Sequence, residues 1–189
     1  MFGKFVKSMP QAYKRMQDSD RLSFAGYEWE VIVGRGHSPE HACLYDEDRN
    51  ILISGDQILP MISPNVSVWP TEPQANPLRD WFDSIVKLKE KLPEDVLVLP
   101  AHGKPFRGAH MRLEELRNDH TDRLNKLLEN GTEPRRVVDV FDDLFKSTIS
   151  DSNRIMATGE ALAHLRYLCE TGDMIVETDQ DGVHHFQRA

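Results

Sequence analysis

The sequence contains few cysteines and no long apolar run. Only Cys43 and Cys169 are cysteines among its 189 residues, and there is no CxxC pair or Cys-His ribbon. This excludes a disulfide framework and favours two buried free thiols in a reducing cytoplasm. No segment reaches the roughly 18 apolar residues that a membrane-spanning helix needs. Met1 to Pro10 also lacks an apolar stretch of signal-peptide length. We therefore expect a cytoplasmic protein with no membrane partner.

Positive charge is also in the minority. Lysine and arginine total 23 against 31 acidic residues, which gives a formal net charge of −8. Such a balance repels phosphate backbones, so nucleic-acid binding is disfavoured. The sequence contains neither a glycine-rich phosphate loop nor a Gly-x-Ser-x-Gly elbow, which disfavours nucleotide-binding proteins of the P-loop type and hydrolases with a serine nucleophile.

The spacing of apolar and polar residues is typical of short strands in the first part of the chain and of helices in the second. Apolar runs and turn residues predict strands over 21–24, 28–33, 42–45, 51–54 and 96–99, with a proline-rich loop after the fourth strand. Helical spacing predicts helices over 8–17, 77–92, 110–130, 133–145 and 153–171, and a hairpin over 174–187. We divide the chain into an α+β unit at 1–108 and a helical unit at 109–189, whose helices and final hairpin have the outline of a winged helix.

Three short motifs carry the residues most suited to chemistry. They are Gly36-His37, with His41 close behind, then Ser54-Gly55-Asp56, and His102-Gly103. Each follows a predicted strand, and sites in layered α/β proteins collect at strand ends. Imidazole and carboxylate ligands together suit Zn²⁺, with Mn²⁺ or Fe as alternatives. Each motif alone is more typical of a turn or a structural residue. The order of the three motifs along the chain is a more specific indication of a metal site.

This order resembles the second half of the metallo-β-lactamase superfamily, most closely its hydroxyacylglutathione-hydrolase-like and lactamase-like branches. The resemblance extends from about Arg21 to the C-terminus, where Arg112–Leu128 is similar to the helix after the last ligand and Ala157–Phe186 to an appended winged-helix unit. It implies an α+β fold, half of an αββα sandwich followed by a helical, winged-helix-like C-terminal unit.

The resemblance also implies roles for individual residues. His37 matches the third histidine of the first metal site, Asp56 the aspartate that bridges two metal ions, and His102 the histidine that completes the second site. His41 matches a position that supports these ligands, or is a loop residue without such a role. The implied cofactor is a pair of zinc ions, which lower the pKa of a bound water and polarise the scissile bond.

One part of the family pattern is missing from this sequence. The family places a His-x-His-x-Asp-His motif upstream, and no histidine precedes Gly36 here. Each metal ion would therefore keep two ligands, where zinc usually takes three or four from protein. A single sheet would also expose an apolar face. We expect a homodimer or a companion chain to cover that face, or the sequence to be a fragment of a longer enzyme.

Two functions are the main candidates from the sequence, and a winged-helix nucleic-acid binder is a third that the net charge disfavours. One is a metal-dependent hydrolase of an ester, thioester, lactone or amide-like bond, with ligands completed from elsewhere. The other is a non-catalytic binding or assembly module that pairs through the uncovered sheet. The remaining histidines are assigned structural roles, His110 and His120 on a solvated face of the long helix and His164 in packing.

Overall fold

The computed structural model describes residues 12–189, and its first part is a five-stranded sheet with one helix. The strands are β1 (Arg21–Phe24), β2 (Tyr27–Gly34), β3 (His41–Asp46), β4 (Ile51–Gly55) and β5 (Leu97–Pro100), and helix α1 covers Pro77–Lys91. The strands lie in the order β1-β2-β3-β4-β5; the first four pair antiparallel with one another, whereas β4 and β5 pair in parallel. The parallel pair requires a crossover, which α1 provides.

The two faces of the sheet differ in burial because side chains alternate along each strand. One face contributes Ile32, Cys43, Leu52 and Val98 to the core, each at most 1% exposed. The other face is also apolar but only half-buried, and it includes Leu44, Ile51, Ile53, Leu97 and Leu99. The alternation of side chains along the strands therefore gives one covered face and one that is partly open.

Helix α1 closes the covered face for reasons that are visible in its sequence. The Asn76 side chain accepts a hydrogen bond from the Arg79 backbone N–H, and Pro77 occupies the first turn, where its missing N–H costs nothing. The apolar residues at helical spacing, Leu78, Trp81, Ile85 and Leu88, are fully buried. The prediction of a helix from Pro77 is confirmed, with Leu92 as its C-cap.

The second part of the chain is helical and ends in a two-stranded sheet. Its elements are α2 (Ala109–Asn130), a 3₁₀ helix (Val137–Val140), α3 (Phe141–Leu144), α4 (Arg154–Thr171), β6 (Met174–Thr178) and β7 (His184–Arg188). The hairpin is confirmed, and the winged-helix assignment and the division at residue 108 stay predictions. No helix within residues 12–189 is long and apolar enough to cross a membrane.

Two predicted helices are wrong where the structure describes them. Residues 133–145 do not form one helix, because Pro134 precedes an extended segment whose Arg135 backbone pairs with Phe186 at 2.9 and 2.8 Å. Of the helix predicted at 8–17, residues 12–17 are irregular and residues 8–11 lie outside the described part. There, Asp20 accepts a hydrogen bond from the Gln17 backbone N–H and forms a turn instead.

The interpretation of His120 as a solvated residue is also wrong. His120 and His164 are both fully buried, and their imidazoles are hydrogen-bonded through Nδ1 of His120 and Nε2 of His164 at 3.0 Å. Burial lowers the pKa of His164 to about 4 and holds the pKa of His120 well below its usual value. His164 is a packing residue, as the sequence predicts, and Cys43 is a buried free thiol.

Candidate metal centre

The sheet topology brings the predicted site residues to one edge. Strands β2, β4 and β5 run in the same direction, so the residues that follow them leave the sheet on the same side. His37, Asp56 and His102 occupy these three positions. His41 opens β3, which runs in the opposite direction, so its start lies at the same edge.

Glycines with positive φ stand next to His37, Asp56 and His102 and shape the turns that carry them. Gly36, Gly55 and Gly103 have φ values of 100°, 54° and 90°, a region that side-chain-bearing residues rarely adopt. At Gly55 space also matters, because an added Cβ would lie 2.3 Å from Nε2 of His41. Gly55 therefore allows the backbone before Asp56 to approach the His41 ring.

The Asp56 carboxylate lies between two imidazoles, and each of its oxygens faces a different one. Oδ2 is 3.7 Å from Nε2 of His37, and Oδ1 is 3.5 Å from Nε2 of His102. Oδ1 is buried and makes no hydrogen bond. The His102 side chain is 67% exposed and that of His37 only 28%, so the centre opens to solvent on the His102 side.

The backbone fixes the orientation and the tautomer of His37. Its Nδ1 lies 2.9 Å from the carbonyl oxygen of Asn65. A carbonyl only accepts, so Nδ1 carries a proton and donates it, and the other ring nitrogen, Nε2, is directed at Asp56. Metal-binding histidines characteristically make this kind of hydrogen bond through the ring nitrogen that does not bind the ion.

His41 contacts the backbone beside the centre. Its Nε2 donates to the carbonyl oxygen of Ser54 at 3.2 Å, and its ring meets that of His37 edge-on with centroids 5.9 Å apart. Burial is the largest effect on this group and lowers the pKa of its imidazole, and the neighbouring His37 acts in the same direction. Neutral His41 thus supports the turn that carries Asp56 through the Ser54 carbonyl.

Comparison with known proteins identifies the family of this arrangement. The model of the metallo-β-lactamase superfamily matches residues 15–102, and the model of the metallo-β-lactamase-like C-terminal domain matches residues 124–189. A β-lactamase domain protein from Burkholderia ambifaria has a similar crystal structure, with a TM-score of 0.94 and 38% identity over 100% of this chain. The chain belongs to the metallo-β-lactamase superfamily. Its candidate site residues therefore lie in a metallo-β-lactamase-type fold.

Further relatives agree with this assignment. A metallo-β-lactamase family protein from Thermus thermophilus is 30% identical, with a TM-score of 0.81 and 95% of this chain covered. The probable metallo-hydrolase YqjP of Bacillus subtilis is 23% identical over 146 residues, 74% of this chain. The chain covers 56% of each of the two solved structures and 44% of YqjP, so it spans about half the length of these superfamily members.

The separations in this candidate centre can be compared with those expected for part of a zinc site. Two ligand atoms on one tetrahedral zinc ion, bound at about 2.0–2.2 Å, lie roughly 3.3–3.6 Å apart. The separations of 3.7 and 3.5 Å on the two sides of Asp56 are close to this spacing, and the unpaired buried Oδ1 is suited to a cation. Within residues 12–189, however, no group of three or more His, Cys, Asp or Glu side chains is placed to hold an ion.

Two residues near the centre are missed by the sequence interpretation. Asn65 orients His37, and Trp69 lines both a shallow cleft beside His37 and an apolar pocket of about 370 Å³ bounded by Ile155 and Leu162 of α4. Both lie in the proline-rich loop, whose length was the only signal available, since long loops in compact domains tend to be functional. A backbone acceptor such as Asn65 has no side-chain signature in a sequence.

Proposed function

We propose that this chain carries part of the metal centre of a hydrolase that cleaves an ester, thioester, lactone or amide bond, with zinc as the metal. The observation that supports this most is the position of the Asp56 carboxylate, whose two oxygens face the Nε2 atoms of two different histidines. Manganese or iron, which accept the same ligands, are alternatives. The name of the similar Bacillus protein, a probable metallo-hydrolase, agrees with this assignment.

Each residue has a distinct part in the proposed centre. His37 and the Asp56 carboxylate would hold one ion, and His102 and the same carboxylate would hold the second. His41 supports the turn before Asp56 from outside. The bound metal would supply Lewis acidity to the scissile bond and lower the pKa of a water. The negative charge of Asp56 would offset part of the positive charge at both positions.

Two ligands per ion are fewer than zinc requires. We propose that the other ligands come from a second copy of this chain or from a companion chain, which packs on the half-buried face of the sheet. That face presents Leu44, Ile53 and Leu99 in one row across three strands, an apolar surface suited to another layer. No nucleic acid or membrane is proposed as a partner.

The test is metal content in the purified chain. Zinc is measured by elemental analysis in the wild type and in the H37A, D56A and H102A variants after dialysis against a low zinc concentration. Each variant is expected to lose most of the metal, and D56A to lose the most because its carboxylate serves both positions. The matched control is H184A, which removes an exposed histidine of β7. Unchanged metal content in a triple alanine variant would refute the proposal.

A second function is favoured by the ligand count. Within residues 12–189 no group of three or more potential ligands could hold an ion, which favours a non-catalytic binding or assembly module. This alternative predicts a stable complex through the sheet with no zinc requirement. Sedimentation in the presence and absence of a chelator distinguishes the two, since a metal-completed centre dissociates or changes affinity when zinc is removed.

A further inference from the structure

A continuous series of hydrogen bonds joins His37 to the C-terminal helices. The first link is the bond from Nδ1 of His37 to the Asn65 carbonyl oxygen at 2.9 Å. The side chain of the same Asn65 donates from Nδ2 to Oε2 of Glu160 on α4 at 3.0 Å, while its Oδ1 accepts from the Ser67 hydroxyl at 2.6 Å. Both ends of the Asn65 amide are thus used, so its orientation is fixed.

The loop around Asn65 is also held against α4 by its backbone. The Val68 N–H donates to the carbonyl oxygen of Gly159 at 3.0 Å. The contact is tight, because a Cβ on Gly159 would lie 2.8 Å from the Val68 carbonyl oxygen and 2.9 Å from Cβ of Ser67. The position of the Asn65 carbonyl therefore depends on α4.

Glu160 is a buried carboxylate held by a charged partner. Its side chain is 13% exposed, and Oε1 accepts from Nη1 of Arg123 at 2.7 Å. Arg123 is itself paired with Asp119 at 2.8 Å. Burying a carboxylate is costly unless it is paired and hydrogen-bonded. The two contacts that offset this cost at Glu160 lead to α2 on one side and to Asn65 on the other.

We propose that Glu160 is a positioning residue for the metal centre, which sets the ring of His37 through Asn65. The proposal rests on His37 being a metal ligand. Glu160 holds the Asn65 side-chain amide, the Asn65 carbonyl accepts from Nδ1 of His37, and Nε2 of His37 stays directed at Asp56. The C-terminal unit is then part of the support of the centre. Outer hydrogen-bond partners of ligands commonly change metal affinity about 10–100-fold when they are removed.

The experiment compares E160A and E160Q with E170Q in the full chain. Glu170 is a matched control because it lies on the same helix and also binds one asparagine and one arginine, Asn76 and Arg79, which have no hydrogen bond to His37. The ring nitrogens of His37 are observed by ¹⁵N NMR in the metal-free protein at pH 8, with the H37A variant providing the assignment. This readout reports the tautomer directly and needs no metal or substrate.

In the wild type and in E170Q, His37 is expected to be the Nδ1–H tautomer. E160A is expected to shift it toward a mixture with the Nε2–H tautomer. E160Q is expected to give a smaller shift, since its amide oxygen still accepts from Asn65. The double variant N65A/E160A is expected to shift the His37 tautomer signal no further than the larger of the two single variants. Both substitutions break the same series of hydrogen bonds from Glu160 through Asn65 to His37, so their effects do not add. If E160A, folded like E170Q by circular dichroism, leaves the His37 signal unchanged, the positioning role is refuted.

Zinc affinity, measured on the same samples against a competing chelator, separates this proposal from the proposed function. E160A is expected to weaken binding about 10-fold, at the lower end for an outer partner of a ligand. Zinc binding that is lost in H37A but unchanged in E160A, with an unchanged tautomer, refutes positioning and leaves the metal centre standing. A tautomer shift in E160A together with no zinc binding by the wild type refutes the metal centre and leaves the link from Glu160 to His37 standing.

Discussion

The buried histidine pair predicts that the protein loses stability under mildly acidic conditions. Nδ1 of His164 donates to the Glu160 carbonyl oxygen at 2.8 Å, and its Nε2 accepts from Nδ1 of His120. Nε2 of His120 is buried and makes no hydrogen bond. Both rings are therefore neutral in the folded state, and protonation of either would place a charge in the core, where Arg123 is a nearby positive charge.

The magnitude follows from the pKa of His164. In the folded protein, burial lowers this pKa to about 4, from the usual 6.5 of histidine. A histidine with a lowered folded pKa contributes its full stability above pH 6.5, and this contribution is lost as the pH falls toward 4, because the unfolded state then binds the proton first. Between pH 7.5 and pH 5 the loss from His164 alone is about 2 kcal/mol. His120 adds a loss of the same sign, because burial also lowers its pKa.

The assay is urea unfolding of the wild type, H164Q and H184Q at pH 7.5 and pH 5. H164Q removes the titrating group. Its free energy of unfolding is therefore expected to fall between pH 7.5 and pH 5 by about 2 kcal/mol less than that of the wild type. This difference is independent of how stable H164Q is at pH 7.5. H184Q, which changes an exposed histidine of β7, is expected to match the wild type. Burial raises the pKa of Glu160, which acts in the opposite direction but is common to all three proteins. Equal losses in wild type and H164Q would show that His164 is not held neutral by burial.

Three further substitutions test the packing around the centre, each by urea unfolding. G55A is expected to destabilise the protein by more than G26A, because both have positive φ but only Gly55 has the His41 ring within 2.3 Å of an added Cβ; equal effects would mean that backbone strain alone matters. L52A is expected to cost about 2–5 kcal/mol because it leaves a cavity in the fully buried face of the sheet, and a loss below 1 kcal/mol would contradict that placement. G159A is expected to cost roughly 1–3 kcal/mol by pushing the proline-rich loop away from α4, and an unchanged free energy of unfolding would show that the loop yields without cost.

The strands and the positions of the site residues follow from local patterns, and these were predictable. Alternation and turn residues identify the five strands to within two residues at each end, because one face of the sheet is buried and the period is two. The glycines beside His37, Asp56 and His102 indicate turns at strand ends. Since the sheet directions bring those ends to one edge, the three side chains meet, as their order in the sequence suggested.

The features that the sequence does not predict depend on contacts between residues far apart in the chain. His120 lies among arginines and acids in the sequence, a pattern that indicates a solvated helix face, yet α4 covers it and pairs it with His164. The segment after Pro134 has helical spacing, but its backbone is recruited into pairing with Phe186, and tertiary pairing overrides the local preference. The backbone acceptor of His37 is equally invisible, because any residue at position 65 carries a carbonyl.

The same long-range contacts bear on how independent the two predicted units are. The loop that supplies the Asn65 carbonyl rests on α4 through Glu160 and Gly159, and Arg112 of α2 donates to the Leu59 carbonyl oxygen at 2.7 Å in the same loop. A chain truncated after residue 108 would lack these contacts from α2 and α4. We therefore expect such a truncated protein to lose slow hydrogen exchange in the loop and the Nδ1–H signal of His37, even where the sheet itself remains folded. Retention of both in the truncated protein would show that the loop holds its position unaided, and that the helices only cover it.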